Sequence, residues 1–443
     1  MTREQRTVAA LGLAVGLVLA DSSVVILALP DILDRFNVAI DSVAWVLTLF
    51  NLVMAIAAVP AAMLSRRIAP GRVCSAGLLL FAGASLGCAL SPSFTWLLTF
   101  RGLQAIGGAA AVCAALELLS TVMRYESRAV AVWAAAGIVG AAAGPAIGGA
   151  LTQLISWEAI FFVQVPLALI ALVFVPRDVP ASHAGSPGRP AIGPNLSLAL
   201  LSAALTAALF LIVLLLINGW GHTPLAAATI VTVMPLAAAG GYLVIPHGIP
   251  PRMRAISGAI LVAGGLGALA LIPAARWAWL IPPQIAIGIG LALALGALTE
   301  DALHGRSPLA IHGGWTLASR HAGVCLGLLI LTPLFTSDLT DQQNKAELAG
   351  TRLILDSPLD LSKKLALGTA LVDQITSGSV TRPPDIGPAF DKVGDVPGKA
   401  QLESAIQDQI DRAVTHAFSR SFAVAALLAL AAAIPLLRGR PEL

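Results

Sequence analysis

Long apolar stretches recur along the chain near residues 7–29, 42–64, 73–91, 96–119, 129–155, 158–176, 197–217, 224–245, 254–273, 277–299, 308–334 and 416–437. As helices rising 1.5 Å per residue, such runs are of the length that crosses a hydrocarbon core roughly 30 Å thick. Lipid offers no partner to backbone polar groups, so each run must close its hydrogen bonds on itself and is helical. A transmembrane β-barrel would show alternating segments of about ten residues instead. The pattern predicts an all-α polytopic membrane protein with twelve spans. Six precede a stretch rich in Pro, Gly, Ser and His and six follow it. The expected domains are a six-helix bundle over 1–176, a linker over 177–196, and a second bundle built from 197–336 and 416–443. Two equal halves about a linker are the plan of membrane proteins built from internal repeats.

The remaining segment, 337–415, interrupts the second half between its last two spans. It holds twelve acidic and eight basic residues, among them every lysine of the chain, so it belongs in water. Ser357-Pro358 can start a helix through Leu365 to Ile375, and Gly398 to Ala413 has helical spacing that can run into the final span. Between them, TRPPDIGPAFDKVGDVPG carries too much Pro and Gly for a helix. A small cap of two helices and a structured loop is expected, the alternative being an unstructured excursion.

Composition agrees with the membrane reading: 57% of residues are hydrophobic and 12% charged, against about 25% charged in a soluble domain. The net charge of +3 is a matter of topology. Arg3, Arg6, Arg66, Arg67, Arg72, Arg124, Arg128, Arg177, Arg189, Arg252, Arg254, Arg306, Arg438 and Arg440 all fall on one side of the predicted spans. The positive-inside rule makes that side, with both termini, cytoplasmic, and the insertion extracellular. Arginines facing anionic headgroups need no nucleic acid as a partner. The first span follows MTREQR, lacks an A-x-A-like site and is read as retained. Cys74, Cys88, Cys113 and Cys325 have no metal-ligand spacing, so neither a metal site nor a disulfide framework is expected.

Asp21 is the first candidate for chemistry. It lies roughly 20 Å into its span, where a carboxylate persists only by protonation or pairing. Arg101 sits at a similar depth in the fourth span. An acid alternating between a protonated and an Arg-paired state is a proton-coupling device, because burial and the cation push its affinity for protons in opposite directions. A static ion pair joining the two helices is the competing reading. Glu117 is a second protonatable candidate, nearer the cytoplasmic end of the fourth span. Arg320 and His321 fall near the middle of the eleventh span, where an ionisable group faces a cavity or a partner. Asn51, Gln104, Gln164, Asn218, Gln284 and Trp315 complete the candidate cavity lining. So few polar groups imply a lipophilic or amphiphilic ligand. The glycine runs at Gly264-Gly265 and Gly288–Gly296 lie in apolar helices rather than after strands, which excludes a nucleotide loop, and no enzymatic constellation is present.

GIVGAAAGPAIGGA, residues 137–150, sacrifices helix propensity inside a span. Gly140, Gly144, Gly148 and Gly149 offer either a small-residue packing face or, with Pro145, a place to bend. This stretch resembles the fifth-helix antiporter motif of the major facilitator superfamily, in its drug:proton antiporter branch. ADSSVVILALP (Ala20–Pro30) resembles the first-helix motif of that branch. RGLQAIGGAA (Arg101–Ala110) resembles its fourth-helix motif, with Ala105 at the usual first Gly. SWEAIFFVQVP (Ser156–Pro166) resembles the sixth-helix signature, with Glu158 at a usual Arg, and TLASRHAGVCLG (Thr316–Gly327) a late segment in which Arg320 matches. The loop AMLSRRIAPGR (Ala62–Arg72) departs from the pattern, with Arg66 where an acid is usual. The resemblance assigns the cytoplasmic gate to Arg66, Arg67, Arg72 and Arg128, with Glu126 as a replacement for that acid. That branch commonly has fourteen spans, and INGWGHTP (Ile217–Pro224) resembles the region of the two extra helices, but twelve are counted here because the next turn, HGIPPRMR, sits where the inner loop of the second half belongs. The resemblance implies a monomeric, alternating-access exporter in a bacterial cytoplasmic membrane. Its energy source would be the proton gradient, without a cofactor, and its cargo a lipophilic or amphiphilic small molecule. An exporter or flippase of a cell-envelope lipid is the alternative within transport. A non-transporting scaffold or sensor using 337–415 is the alternative outside it.

Overall fold

The computed structural model describes residues 2–181, 188–244, 248–273, 275–377, 386–391 and 398–438. The centre of the linker, Arg440 and the expected loop at 381–385 and 392–397 lie outside the described residues. Everything described is helix, turn or irregular. The first half comprises α1 (Arg3–Ile26), α2 (Trp45–Arg67), α3 (Pro70–Ala89), α4 (Phe94–Val122), α5 (Glu126–Leu154) and α6 (Ala159–Val173). The second comprises α7 (Ile192–Leu214), α8 (Pro224–Val231, continued by Val233–Val244), α9 (Pro251–Ala270), α10 (Ile281–Leu303), α11 (Leu309–Asp356) and α12 (Ser419–Ala431). Among the described residues 11 helices have the length and apolarity to cross a membrane, and α6, at 15 residues, is a shorter apolar helix. The expected all-helical membrane fold is therefore observed, with a helix at each of the twelve expected positions.

Local chemistry sets the helix starts. Thr2 and Gln5 form a reciprocal capping box at α1, the Gln5 amide donating to Thr2 Oγ1 at 3.2 Å. Ser93 accepts from the Trp96 amide at α4, and Pro70 and Pro224 occupy first-turn positions of α3 and α8. One face of the molecule gathers the start of α1, the end of α6, the linker and the α10–α11 turn. There Arg3 and Arg6 share a pocket with Pro176, and Arg306 Nη1 donates to the Arg189 carbonyl at 3.2 Å. We call this the terminal face.

The halves repeat one packing device. In the first, α5 crosses α1 so closely that a methyl group added at Gly140 would strike the Gly16 backbone, and one at Gly144 the Ser23 hydroxyl. In the second, α11 crosses α7 in the same manner, Gly323 against Ala199 and Gly327 against Ala203. Only glycine permits such approach. Between halves, α2 lies along α11, with Cys325 Sγ 3.4 Å from the Thr48 carbonyl, while Gly149 of α5 meets Ala228 of α8.

The insertion differs from expectation in one respect. The eleventh span does not end near residue 334; α11 continues without a break to Asp356, 48 residues in all. The sequence after Pro333 contains no further proline until Pro358, and lone Gly350 does not stop a helix otherwise rich in good formers. Helices Leu361–Ser377 and Lys399–Ala417 stand where two were expected, and a five-residue helix, Gly387–Asp391, lies within the stretch read as loop. Ile354, Leu367, Leu371, Ile386, Phe390 and Ile406 give this cap its own apolar core. It is fastened to the bundle by Arg420 Nη1 donating to Asp338 Oδ1 at 2.7 Å and by Trp220 Nε1 donating to Thr415 Oγ1 at 3.2 Å.

Candidate functional site

Asp21 and Arg101 meet inside the first half, both without solvent exposure. Arg101 Nη1 donates to Asp21 Oδ2 at 2.5 Å and to Gln104 Oε1 at 2.6 Å. The other carboxylate oxygen accepts from Gln164 Nε2 at 2.8 Å and from Gln104 Nε2 at 3.3 Å. Ser85 ties the two amides together, accepting from Gln104 at 2.8 Å and donating to Gln164 at 3.0 Å. Arg101 Nε reaches across to the Val46 carbonyl at 3.1 Å, and the guanidinium lies 4.3 Å from the Phe50 ring centroid and 5.7 Å from that of Phe161. Residues of α4 and α6 thus hold the carboxylate of α1, and groups of α2 and α3 hold their partners. Arg101 Nη2 has no acceptor among the described residues. An ionised acid so placed is matched by a cation and two amides. Adding a proton to it removes the charge that holds Arg101, so the cluster can exist in two states of different internal bonding.

The residue after Asp21 faces elsewhere. Ser22 lines a cavity of about 360 Å³ between α1, α2 and α5 of the first half and α7, α8, α10 and α11 of the second. Its wall is mostly aliphatic, relieved by Ser22, Ser23, Asn51, Ser202, Arg320 and His321. Asn51 Nδ2 donates to the Leu47 carbonyl at 2.8 Å and to Ser22 Oγ at 3.3 Å, while its Oδ1 lies 2.6 Å from His321 Nδ1. A polar thread therefore runs from α1 through α2 to α11, joining the halves beside the Asp21 cluster. Arg320 is half-buried on the same wall and has no hydrogen-bond or ion-pair partner among the described residues.

Of the expected cavity residues, Asn51, Arg320 and His321 line it. Gln104 and Gln164 do not: they serve the carboxylate inside the first half, where a buried amide finds a stronger acceptor than in an apolar cavity. Asn218 is buried in a π-helical turn, Leu215–Gly219, and Gln284 is fully buried with neither side-chain polar atom bonded among the described residues. Trp315 is 40% exposed; five residues before Arg320, it lies on roughly the opposite side of α11. Pro145 lines the cavity, while Gly140, Gly144 and Gly148 face α1 and Gly149 faces α8. Near the terminal face, Glu117 is buried within electrostatic reach of half-buried Arg66. Arg67, Arg72, Glu126 and Arg128 are exposed, Arg128 lying 5.3 Å from the Tyr125 ring. Glu117 is thus an acid brought near Arg66. Sequence reasoning passed over Ser22, Ser85, Phe50 and Phe161. The serines are polar atoms in apolar spans and so carry a weak signal; the two rings carry none.

The sequence profile of the Major Facilitator Superfamily matches residues 11–345. The chain is 34% identical over 169 residues to the multidrug resistance protein Stp of Mycobacterium tuberculosis, covering 38% of this chain and 32% of that protein. It is 34% identical over 190 residues to the multidrug efflux pump LfrA of Mycolicibacterium smegmatis, covering 42% and 38%. It thus spans about a third of the length of these curated relatives. In fold it is similar to a bacterial homolog of the human lysosomal transporter Spinster, solved in an inward-facing, unoccupied conformation, with TM-score 0.67, 17% identity and 100% of both chains covered. Two helical halves that repeat one packing device, and a profile match over most of the chain, have a single meaning: the chain belongs to the Major Facilitator Superfamily of membrane transporters.

Proposed function

We propose that this chain is a proton-coupled exporter of lipophilic or amphiphilic small molecules. It works as a monomer in a bacterial cytoplasmic membrane with both termini in the cytoplasm. The observation that carries the proposal is the buried Asp21–Arg101 pair, one residue from the cavity wall at Ser22. A proton arriving at Asp21 loosens Arg101 and its amides, and α1 transmits the change to the cavity because Ser22 is bonded to Asn51, which contacts His321 of the other half. The close α1–α5 contact makes these helices move as one body. The two halves then rock about the cavity, opening it to either face in turn. Inward proton flow supplies the energy, and the residues at the site call for no cofactor. The drug-efflux names of the mycobacterial relatives support this direction of transport. Glu117 with Arg66 is assigned to the gate at the terminal face, in place of the acid missing from the α2–α3 loop.

The test is efflux of a lipophilic dye from an efflux-deficient bacterium expressing the chain or Asp21→Asn, with the proton gradient intact or collapsed. Efflux that needs both the gradient and Asp21 is expected; gradient-independent efflux, or full efflux in Asp21→Asn, contradicts the proposal. A second reading, export of a cell-envelope amphiphile, is favoured by one feature: α11 runs unbroken from Arg320 at the cavity into a cap with its own core. A wild type that is well expressed but leaves every dye untouched would favour that narrow cargo, or the scaffold reading.

A further inference from the structure

Among the described residues Arg320 is the single charged residue on the cavity wall, and no Asp or Glu lines it. The acid nearest in sequence to the wall, Asp21, is fully buried and already matched by Arg101. A cavity designed around a lipophilic cation would need a carboxylate, and this wall presents the opposite charge. An unmatched guanidinium in an aliphatic cavity is costly, and an anion entering beside it removes that cost. The planar fork of arginine fits the two or three oxygens of a carboxylate, sulfonate or phosphate. We propose that the cavity binds an amphiphile with one acidic headgroup, seated on Arg320, and a hydrocarbon tail lying along Leu205, Leu209, Leu291 and Leu295. This deepens the export reading and rests on it for the direction of movement, not for binding.

His321, next to Arg320 on the wall, ties that wall to the first half. The Asn51 amide nitrogen donates to the Leu47 carbonyl, so its oxygen is the atom turned toward His321 Nδ1 at 2.6 Å. That nitrogen therefore carries the proton, and Nε2 is left to accept one. The headgroup thus sits where α11 of the second half meets the α1–α2 thread of the first, the point at which the proton cluster and the cargo can sense each other.

The test uses the full chain in lipid nanodiscs and three probes of equal length: dansyl-labelled undecanoate, its methyl ester, and dansyl-labelled undecylamine. Binding is read as dansyl fluorescence in excess of empty nanodiscs. The acid is expected to bind about tenfold tighter than the ester and tighter than the amine. Arg320→Gln removes that preference. Arg320→Lys keeps the charge without the fork, so it binds the acid more weakly than wild type yet still prefers it to the amine. Equal binding of acid and ester by the wild type, or a preference for the amine, overturns the inference. If Arg320→Gln does not fold, the wild-type comparison and the lysine variant decide. Acid preference in a chain that exports nothing keeps the inference and removes the export reading. Dye export that depends on Asp21, with no acid preference, does the reverse.

Discussion

At the scale of residues, one buried carboxylate organises the first half. Asp21 is held by Arg101 and two amides with no access to solvent, so the pair is coupled far more strongly than a surface ion pair. Arg101→Met leaves that carboxylate without its cation and is expected to cost about 3–5 kcal/mol. Adding Asp21→Asn should recover much of the loss, because no charge then remains buried. Unfolding of the detergent-purified variants checks this, and additive losses would show that the pair is not a unit. Both charges were legible in the sequence, since a charge in hydrocarbon has few explanations and counting residues along α1 and α4 put the two at one depth. Their amide partners were legible only as buried polar groups. Polarity says that Gln104 and Gln164 need a partner, but not that the partner is Asp21 rather than a cavity. Phe50 and Phe161, which flank the guanidinium, look like any other apolar residue of their spans.

At the scale of elements, glycine placement decides how helices move together. Gly140→Ala should destabilise the chain by about 1–3 kcal/mol and reduce transport, because its methyl group meets the Gly16 backbone. Gly264→Ala, whose methyl group meets nothing within 4 Å, should be neutral or slightly stabilising. Thermal unfolding of the two variants side by side checks the contrast, and equal behaviour would count against the α1–α5 contact. The periodic glycines of α5 were plain in the sequence; that Gly149 turns away from α1 to meet α8 was not, because it depends on how the halves dock. The length of α11 was also hidden. Hydropathy drops after residue 334, and a rule that reads spans by apolarity ends the helix where the backbone does not; at 48 residues it extends about 72 Å. Phe390→Ala, removing a ring from the core of the cap, should raise amide exchange in 361–377 and 399–417 while leaving α1–α6 unchanged. Exchange rising equally in the first half would show that the cap does not fold around its own core.

At the scale of the whole molecule, two halves share an architecture but not a charge pattern. The α1–α5 contact of the first is repeated by α7–α11 of the second, yet the buried acid belongs to the first and the cavity cation to the second. The twelve-helix plan was legible because hydrocarbon imposes the same length on every span; which surfaces the halves turn toward each other was not, because both are apolar. The α2–α11 contact near Ala62 and Gly314 joins the halves toward the terminal face. In Ala62→Cys/Gly314→Cys, oxidation should stop transport and reductant should restore it, as cargo release under the two conditions would show. Unimpeded transport in the oxidised protein would contradict a rocking motion. Whether proton movement through Asp21 drives cargo is read from cargo flux in proteoliposomes across which a pH gradient is the sole driving force. Cargo movement against the proton flow is expected in the wild type, and in Asp21→Asn cargo exchange that no longer responds to the gradient. Gradient-driven accumulation that persists in Asp21→Asn would contradict proton coupling through Asp21.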